Sequence, residues 1–584
     1  MSEKQSYYLT TPIYYVNGVP HLGTAYTTIA SDALARFERA VGRDVWFLTG
    51  LDEHGQKVAQ KAAEEGVTAQ EWVDSVAPQF KEAWAQMDIT YDDFIRTTEP
   101  RHIRGVQQFF QTLYNNGFIY KDNYQGYYCV PEETFFTGEQ LAEFAQRRTD
   151  AGEPFTTETG EKLCPDCGRP LSFVEEDNLF FKLSAFEDKL LAYYDANPDF
   201  VQPEIRRNEV ISFVKSGLKD LSVSRTTFDW GVPIPFASGH VSYVWVDALI
   251  NYITAVGYGD PSPEAQEMFA QRWPAQIHFV GKDIIRFHCV IWPAMLMAAG
   301  LEPPRKVFAH GFLLTKGEKM SKSTGNAMSP ADLVDIFGVD AYRYYFLSDV
   351  QFGSDGSISL ERMLQVYNAD LANSWGNLCS RALNMTAKYL DGQTPDLWEK
   401  TVVRLTAELG NPLAELVNGS VNPTNQQPPS LHSRYAAAFE SVDYSGAMAV
   451  VQELVSAANL YIENSAPWTL AKAAAAEARE DTEAAEAAAE DEGATTALAA
   501  PTAADRLAFV LYNILESIRI AALLFAPVMP NTSAEVWRRL GLGDIAAVQD
   551  QVVAAAWGGL PANLQTTVGE PLFMRLTEDE LGIK

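Results

Sequence analysis

The stretch TPIYYVNGVPHLGTAYTTIASDALARF, Thr11 to Phe37, constrains the fold more than any other. A strand-like apolar run ends near Val16, a Pro/Gly-rich turn carries His21 and Gly23, and a helical pattern follows at once. The alternation continues through VWFLTG and EWVDSVAPQFKEAWAQM, so residues 6–115 read as βαβ units on a parallel sheet. A strand-to-helix turn aims the first N–H groups of the helix, and its positive dipole end, at whatever occupies the crevice above the sheet. That arrangement suits an anion. Gly23 removes a side chain where a ligand could approach the backbone. His21 can donate to a phosphate or ribose oxygen. Taken alone, these residues also describe a helix that is simply capped.

Residues 116–226 break the alternation with aromatics, turns and the pair Cys164 and Cys167. They read as an insertion into the α/β fold. The α/β pattern returns with AQIHFVGKDI as strand and turn, RFHCVIWPAMLMAAG as helix and VFAHGFLL as strand. Beyond Leu360 the periodicity is helical, as in MLQVYNADLANSWGNLCSRALNMTAKYL and RLAFVLYNILESIRIAALLFA. Ala471 to Asp505 is rich in alanine and acidic residues and reads as an exposed helix or a disordered insertion. There is no internal repeat.

Composition narrows the class. With 47% hydrophobic and 21% charged residues the chain reads as an ordinary globular protein. No apolar run reaches the roughly 18 residues that span a bilayer. The start, MSEKQSYYLTTPIYY, lacks a secretory pattern. A cytoplasmic protein without a membrane partner is expected. Five cysteines, an odd number, argue against a disulfide framework, and a CxxC in a reducing compartment suggests metal. The net charge of −31 weighs against a nucleic-acid partner. Net charge sets solubility and long-range fields, however, not the lining of one groove.

A second motif changes the balance. GEKMSKSTGN, Gly317 to Asn326, sets Lys319 and Lys322 with Ser321 and Ser323 between glycines. Two lysines and two hydroxyls suit a phosphate chain whose charge grows as it leaves. By itself the segment could be a solvated loop.

Together, HLGT at His21–Thr24 and KMSKS at Lys319–Ser323 resemble the HIGH and KMSKS signatures of class I aminoacyl-tRNA synthetases. The segments TPIYYVNGVPHLG, LTGLDEHGQKV, YVWVDALINYI, VGKDIIRFHCVIWPAM and NSAPW, in that order, are similar to the methionyl branch of the family. The resemblance covers residues 6–530. It implies an α/β fold: a Rossmann-type parallel-sheet catalytic domain split by a connective insertion, followed by an all-α anticodon-binding bundle. The expected boundaries are 1–115 and 227–312 for the two catalytic halves, 116–226 for the insertion, and 313–360 for a KMSKS and stem-contact region. The helical domain is expected at 361–545, with its Ala/acidic insertion at 471–505, and a tail at 546–584.

The resemblance implies ATP and Mg²⁺, with L-methionine and tRNA(Met) as partners. His21, Lys319 and Lys322 become the expected catalytic residues. Gly23, Thr24, Asp283 and Ser321 join them around ATP. A helix N-cap is an equal reading of Asp283. Asp52 is implied for the methionine ammonium. Ile13, Tyr15, Trp245, Ala248, Leu249, Tyr252, Ile284 and His288 are implied for its side chain. A thioether packs well on aromatic edges, although core packing explains each aromatic singly. Asn377 and Arg381, at i, i+4 spacing, and Trp468 are implied for the anticodon. Thr24 stands where the family usually has a second histidine. It keeps a hydroxyl near a helix N-terminus and reads as a tolerated variant.

Cys129, Glu132, Cys164 and Cys167 have the paired spacing of a zinc knuckle, with Glu132 where zinc-bearing members have cysteine. Bound Zn²⁺ and a decayed knuckle both stay open. The insertion is too short for the editing module of the leucine, isoleucine and valine enzymes. A small-molecule nucleotidylyltransferase would not need the helical half. A non-catalytic tRNA-binding relative is raised by Thr24 and opposed by KMSKS, Asp52 and His288. The chain lacks an appended dimerisation domain, so a monomer is expected.

Overall fold

The computed structural model describes residues 4–16, 18–136, 138–315, 318–319, 329–419, 429–487 and 500–581. It forms two compact bodies. One comprises Met1–Asp32 and Asp44–Phe312, the other Ala33–Arg43 and Leu313–Lys584.

The first body is built on seven parallel strands: β1 (Ser6–Thr10), β2 (Tyr14–Tyr15), β3 (Asp44–Asp52), β4 (Asp93–Arg96), β5 (Val201–Gln202), β6 (Ile277–Gly281) and β7 (Val307–His310). β3 is buried along its last six residues, as a strand covered on both faces must be. β1 pairs with β3 on one side, Ser6 to Thr10 against Asp44 to Leu48. On the other side it pairs with β6, Thr10 against His278. The strand order therefore reverses at β1. In open α/β sheets ligands bind at that reversal, outside the carboxyl ends of the strands.

Three helices frame this point. α1 (Leu22–Ala40) follows β2, α2 (Gln56–Glu64) follows β3, and α3 (Val244–Thr254) packs behind the crevice. Every residue of α3 except Trp245 is buried. Such a helix must satisfy neighbours on two faces.

The 116–226 segment combines a four-stranded antiparallel sheet, with Ile119–Cys129 paired along Ser172–Phe181, and the helices Gly138–Asp150, Glu187–Ala196 and Glu204–Lys215. The segment is not closed on itself. β5 lies within it, yet β5 pairs parallel with β7 in the main sheet, and Val307 N–H donates to Phe200 C=O at 2.6 Å.

The second body is mainly helical. Its core helix, Ala503–Phe525, is long and apolar enough to cross a membrane, but 89% of its most apolar window is buried inside the fold. The expectation that no such run exists is corrected here. Glu516 and Arg519, paired at 2.7 Å within this helix, are themselves almost fully buried. The Ala/acidic segment is helical through Ala487. At its far end Thr502 and Asp505 form a capping box that starts the core helix. The tail docks on the same body: Tyr367 O–H donates to Met574 C=O and Asn368 Nδ2 to Leu576 C=O, each at 2.8 Å.

Candidate active site

α1 begins after the turn that follows β2, and His21 is its N-cap residue. Its Nδ1 accepts from Gly23 N–H at 3.1 Å and from Thr24 N–H at 3.3 Å. The Thr24 hydroxyl accepts from His21 N–H at 3.0 Å and donates to His21 C=O at 2.7 Å. This is the reciprocity of a capping box, with His as the cap and Thr at the third helical position. A Cβ on Gly23 would lie 3.0 Å from His21 Cε1, so the glycine is what lets the ring fold over the helix start. An Nδ1 that accepts N–H bonds is unprotonated, which leaves the proton of the neutral ring on Nε2. Thr24, expected among the nucleotide contacts, bonds the His21 backbone through its hydroxyl. One turn on, Thr27 Oγ1 bonds Gly23 C=O at 3.1 Å and His310 Nε2 at 2.7 Å. Burial pushes the His310 pKa down. This tie between α1 and the end of β7 was not read from the sequence.

The second part of the site lies at the end of β3. Tyr15 of β2 pairs in register with Asp52. The Tyr15 ring meets Trp245 edge-on, 5.8 Å between centroids, and Trp245 stacks on Phe287 at 4.0 Å. Tyr252 O–H donates to His288 Nε2 at 2.8 Å, because His288 Nδ1–H is bonded to Ile284 C=O at 3.0 Å. Burial pushes the His288 pKa down to about 4, so its ring is neutral. Ala248 and Leu249 are buried beside Tyr252 on α3, and Ile13 and Ile284 pack half-buried on the same core. Phe287–Ile291 is a π-helical turn, a form that recurs at functional sites. Asp52 is 3% exposed, and its Oδ1 is buried without a hydrogen-bond partner. Burial, and then the carboxylates of Asp247, Glu133 and Glu53, push its pKa well above the carboxylate range. A buried carboxylate oxygen beside an aromatic wall is a site for a cation.

Asp283 is exposed on the short turn after β6. The Lys319 backbone lies in a two-residue strand, Glu318–Lys319, paired antiparallel with Leu314–Thr315. The Lys319 side chain, Ser321 and Lys322 lie outside the described residues.

In the insertion, the sulfurs of Cys129, Cys164 and Cys167 lie within 4.8 Å of one another. Three converging thiols fit a zinc ion. The Glu132 carboxylate does not join them; its backbone carbonyl accepts from Trp245 Nε1 at 3.4 Å. The next residue, Glu133, was missed. Its carboxylate accepts from Tyr128 O–H and from Lys57 N–H at the start of α2, so the knuckle is tied to the segment after Asp52.

In the second body Asn377 and Arg381 open the helix Asn377–Tyr389. Arg381 pairs at 2.6 Å with Glu463, near the end of the helix Tyr444–Ser465. Trp468, five residues further on, is 38% exposed. The pair brings the base-reading candidates to one end of the bundle.

A parallel sheet with a capped helix at its reversal point, a buried carboxylate and an aromatic pocket are the features of a nucleotide-dependent amino-acid-activating domain. The chain belongs to the tRNA synthetases class I (M), which it matches over residues 7–383. It is similar to proteins named methionine–tRNA ligase. That of Caldanaerobacter subterraneus subsp. tengcongensis is 44% identical, over 99% of this chain and 80% of the relative. That of Streptomyces coelicolor is 45% identical, over 99% and 98%. The Mycobacterium tuberculosis methionyl-tRNA synthetase in complex with methionyl-adenylate superposes with a TM-score of 0.81, at 40% identity over 97% of this chain and 99% of that one.

Proposed function

We propose that this chain attaches L-methionine to tRNA(Met). In the first step a methionine carboxylate oxygen attacks the α-phosphorus of ATP, and the bond to the β-phosphate oxygen breaks. Pyrophosphate leaves and methionyl-adenylate forms. In the second, the ribose hydroxyl at the tRNA 3′ end attacks the methionyl carbonyl and AMP leaves. The observation that carries the reading is the partnerless Asp52 oxygen beside Tyr15, Trp245, Tyr252 and His288. It matches an ammonium joined to a soft thioether chain. The relatives named methionine–tRNA ligase support it.

The chemistry needs no protein nucleophile, so the protein positions reactants and stabilises developing charge. His21 presents an Nε2–H donor to the phosphates, alongside the N–H groups of α1. Lys319 and Lys322 take the charge growing on pyrophosphate, and Gly23, Thr24, Asp283 and Ser321 serve as further ATP-binding residues. Mg²⁺ would screen the phosphate oxygens. Zn²⁺, held by Cys129, Cys164 and Cys167, would brace the insertion. Asn377, Arg381 and Trp468 read the anticodon within the helical 361–545 region. The chain acts as a monomer in the cytoplasm, and its five free thiols fit a reducing compartment.

The test is ATP–pyrophosphate exchange with each of the twenty amino acids, without tRNA. Exchange with methionine alone is expected. Exchange with a different amino acid would keep the class and overturn the substrate. No exchange, with tRNA binding retained, would favour a non-catalytic relative.

A further inference from the structure

The Asp52 turn is held from behind by a buried chain of polar groups that never faces the pocket. His54 Nδ1 lies 2.6 Å from Asp247 Oδ2. Asp247 Oδ1 lies 2.7 Å from His102 Nε2, and His102 Nδ1 lies 2.9 Å from Thr254 Oγ1. Asp247 and His102 are fully buried and His54 is 5% exposed. These groups come from three separate stretches: the turn after β3, the helix Pro100–Asn115, and α3.

Helical spacing explains the arrangement. At about 100° per residue, Trp245, Ala248, Leu249 and Tyr252 share one face of α3, and Asp247, Asn251 and Thr254 share the opposite face. The front of α3 lines the pocket and the back holds the turn that carries Asp52. The turn is secured on its other sides as well. Glu53 accepts from Arg96 Nε at 2.6 Å and from Thr98 Oγ1, and its carbonyl accepts from Trp230 Nε1 at 2.7 Å. Among the described residues, the His54–Asp247 bond is the hydrogen bond that joins the Asp52 turn to the pocket helix itself. A buried carboxylate with two ring donors has a defined geometry, because neither ring can swing without leaving a charge unpartnered.

We propose that Asp247 and His54 are positioning residues for amino-acid binding: their bond fixes the spacing between the Asp52 carboxylate and the side-chain pocket on α3. This extends the methionine reading above and rests on it. A loosened spacing should weaken binding of the amino acid, which must touch both. ATP, which touches neither, should bind as before.

The test compares His54→Asn with His54→Leu in ATP–pyrophosphate exchange, with Asp247→Asn as a third variant and thermal unfolding run on each. An asparagine amide can place a donor where Nδ1 stood; leucine fills the space without one. We expect His54→Leu to raise KM for the activated amino acid about tenfold or more, with KM for ATP within about twofold. His54→Asn should recover most of that loss. Equal behaviour of the two variants, or parallel rises in both KM values, would reduce the network to packing and overturn the proposal. If Asp247→Asn does not fold, the His54 pair still decides. Wild-type exchange is the separate control. Activity with an amino acid other than methionine overturns the substrate and leaves the positioning test intact. Absence of all exchange overturns both.

Discussion

The Thr24 hydroxyl lies 3.0 Å from the His21 backbone nitrogen and 2.7 Å from the His21 carbonyl oxygen, accepting from the first and donating to the second. The residue that departs from the family signature therefore acts on the residue that keeps it. Thr24→Ser should preserve both bonds. Thr24→Val removes them and should cost about 1 kcal/mol of stability, as loss of a helix cap does. It should also raise KM for ATP, because His21 would no longer be held over the start of α1. Thermal unfolding and exchange kinetics on the pair check this. A valine variant with wild-type values in both would remove the capping role.

Asp52 sets up a trade between stability and binding. Its folded pKa is raised by burial and by neighbouring carboxylates. The folded state therefore holds a proton that the unfolded state has lost, and stability falls as pH rises from the ordinary carboxylate range through the folded pKa. Asp52→Asn should make the ligand-free protein more stable at neutral pH. The same change should weaken methionine binding by about 1.5–3 kcal/mol, the loss of a hydrogen bond to a charged group. Denaturant unfolding and calorimetric titration with methionine should move in opposite directions.

His288 gives the reverse pH dependence. Its folded pKa is about 4 against the usual 6.5, because burial disfavours the charged ring. As pH falls through that window the unfolded chain gains a proton that the folded one refuses. Stability should drop by about 3 kcal/mol between those values. His288→Gln should make the curve shallower but not flat, since burial also lowers the pKa of His278 and His310. Urea midpoints collected across this range are the measurement.

The knuckle should bind about one zinc per chain through its three thiols. Metal analysis of the purified protein should find it, and Cys164→Ser should lose it. Glu132→Cys supplies a fourth sulfur at CxxC spacing and should tighten binding in a chelator competition. Metal-free protein with an unchanged unfolding temperature would mean that the insertion stands by packing.

Trp468→Ala should separate the two reactions. Stacking on a single-stranded base contributes about 1–3 kcal/mol, so KM for tRNA should rise accordingly while exchange without tRNA is unaffected. A fall in both would place Trp468 in the fold and not in recognition.

Much of this was legible in the chain. The βαβ alternation located the parallel sheet, and the quoted segments singled out Asp52, Trp245 and His288 as candidates. What escaped has a common cause. His54, His102 and Asp247 meet across gaps of 145 and 193 residues, and no local pattern marks such pairings. Glu133 hides beside the more conspicuous Glu132. Val201–Gln202 is too short to announce a strand, and only its pairing with β7 defines it. Thr24 reads as a tolerated variant in the sequence because a hydroxyl at a helix start suits an anion and a cap equally; its bonds to the His21 backbone appear only in the fold.

The second body has a consequence for synthesis. Its core helix, Ala503–Phe525, packs with helices on both sides in sequence, and Phe37, near the start of the chain, stacks on Phe439 at 4.5 Å. A ribosome delivers Phe37 hundreds of residues before the partners that cover it. Until Ala503–Phe525 emerges, the helices made earlier have no centre to close on, and their apolar faces stay open to water. The sheet half is complete at Phe312 and can fold while translation continues. Nascent chains halted before Ala503 should therefore carry a finished first body and a second one that holdase chaperones and proteases recognise as unfinished.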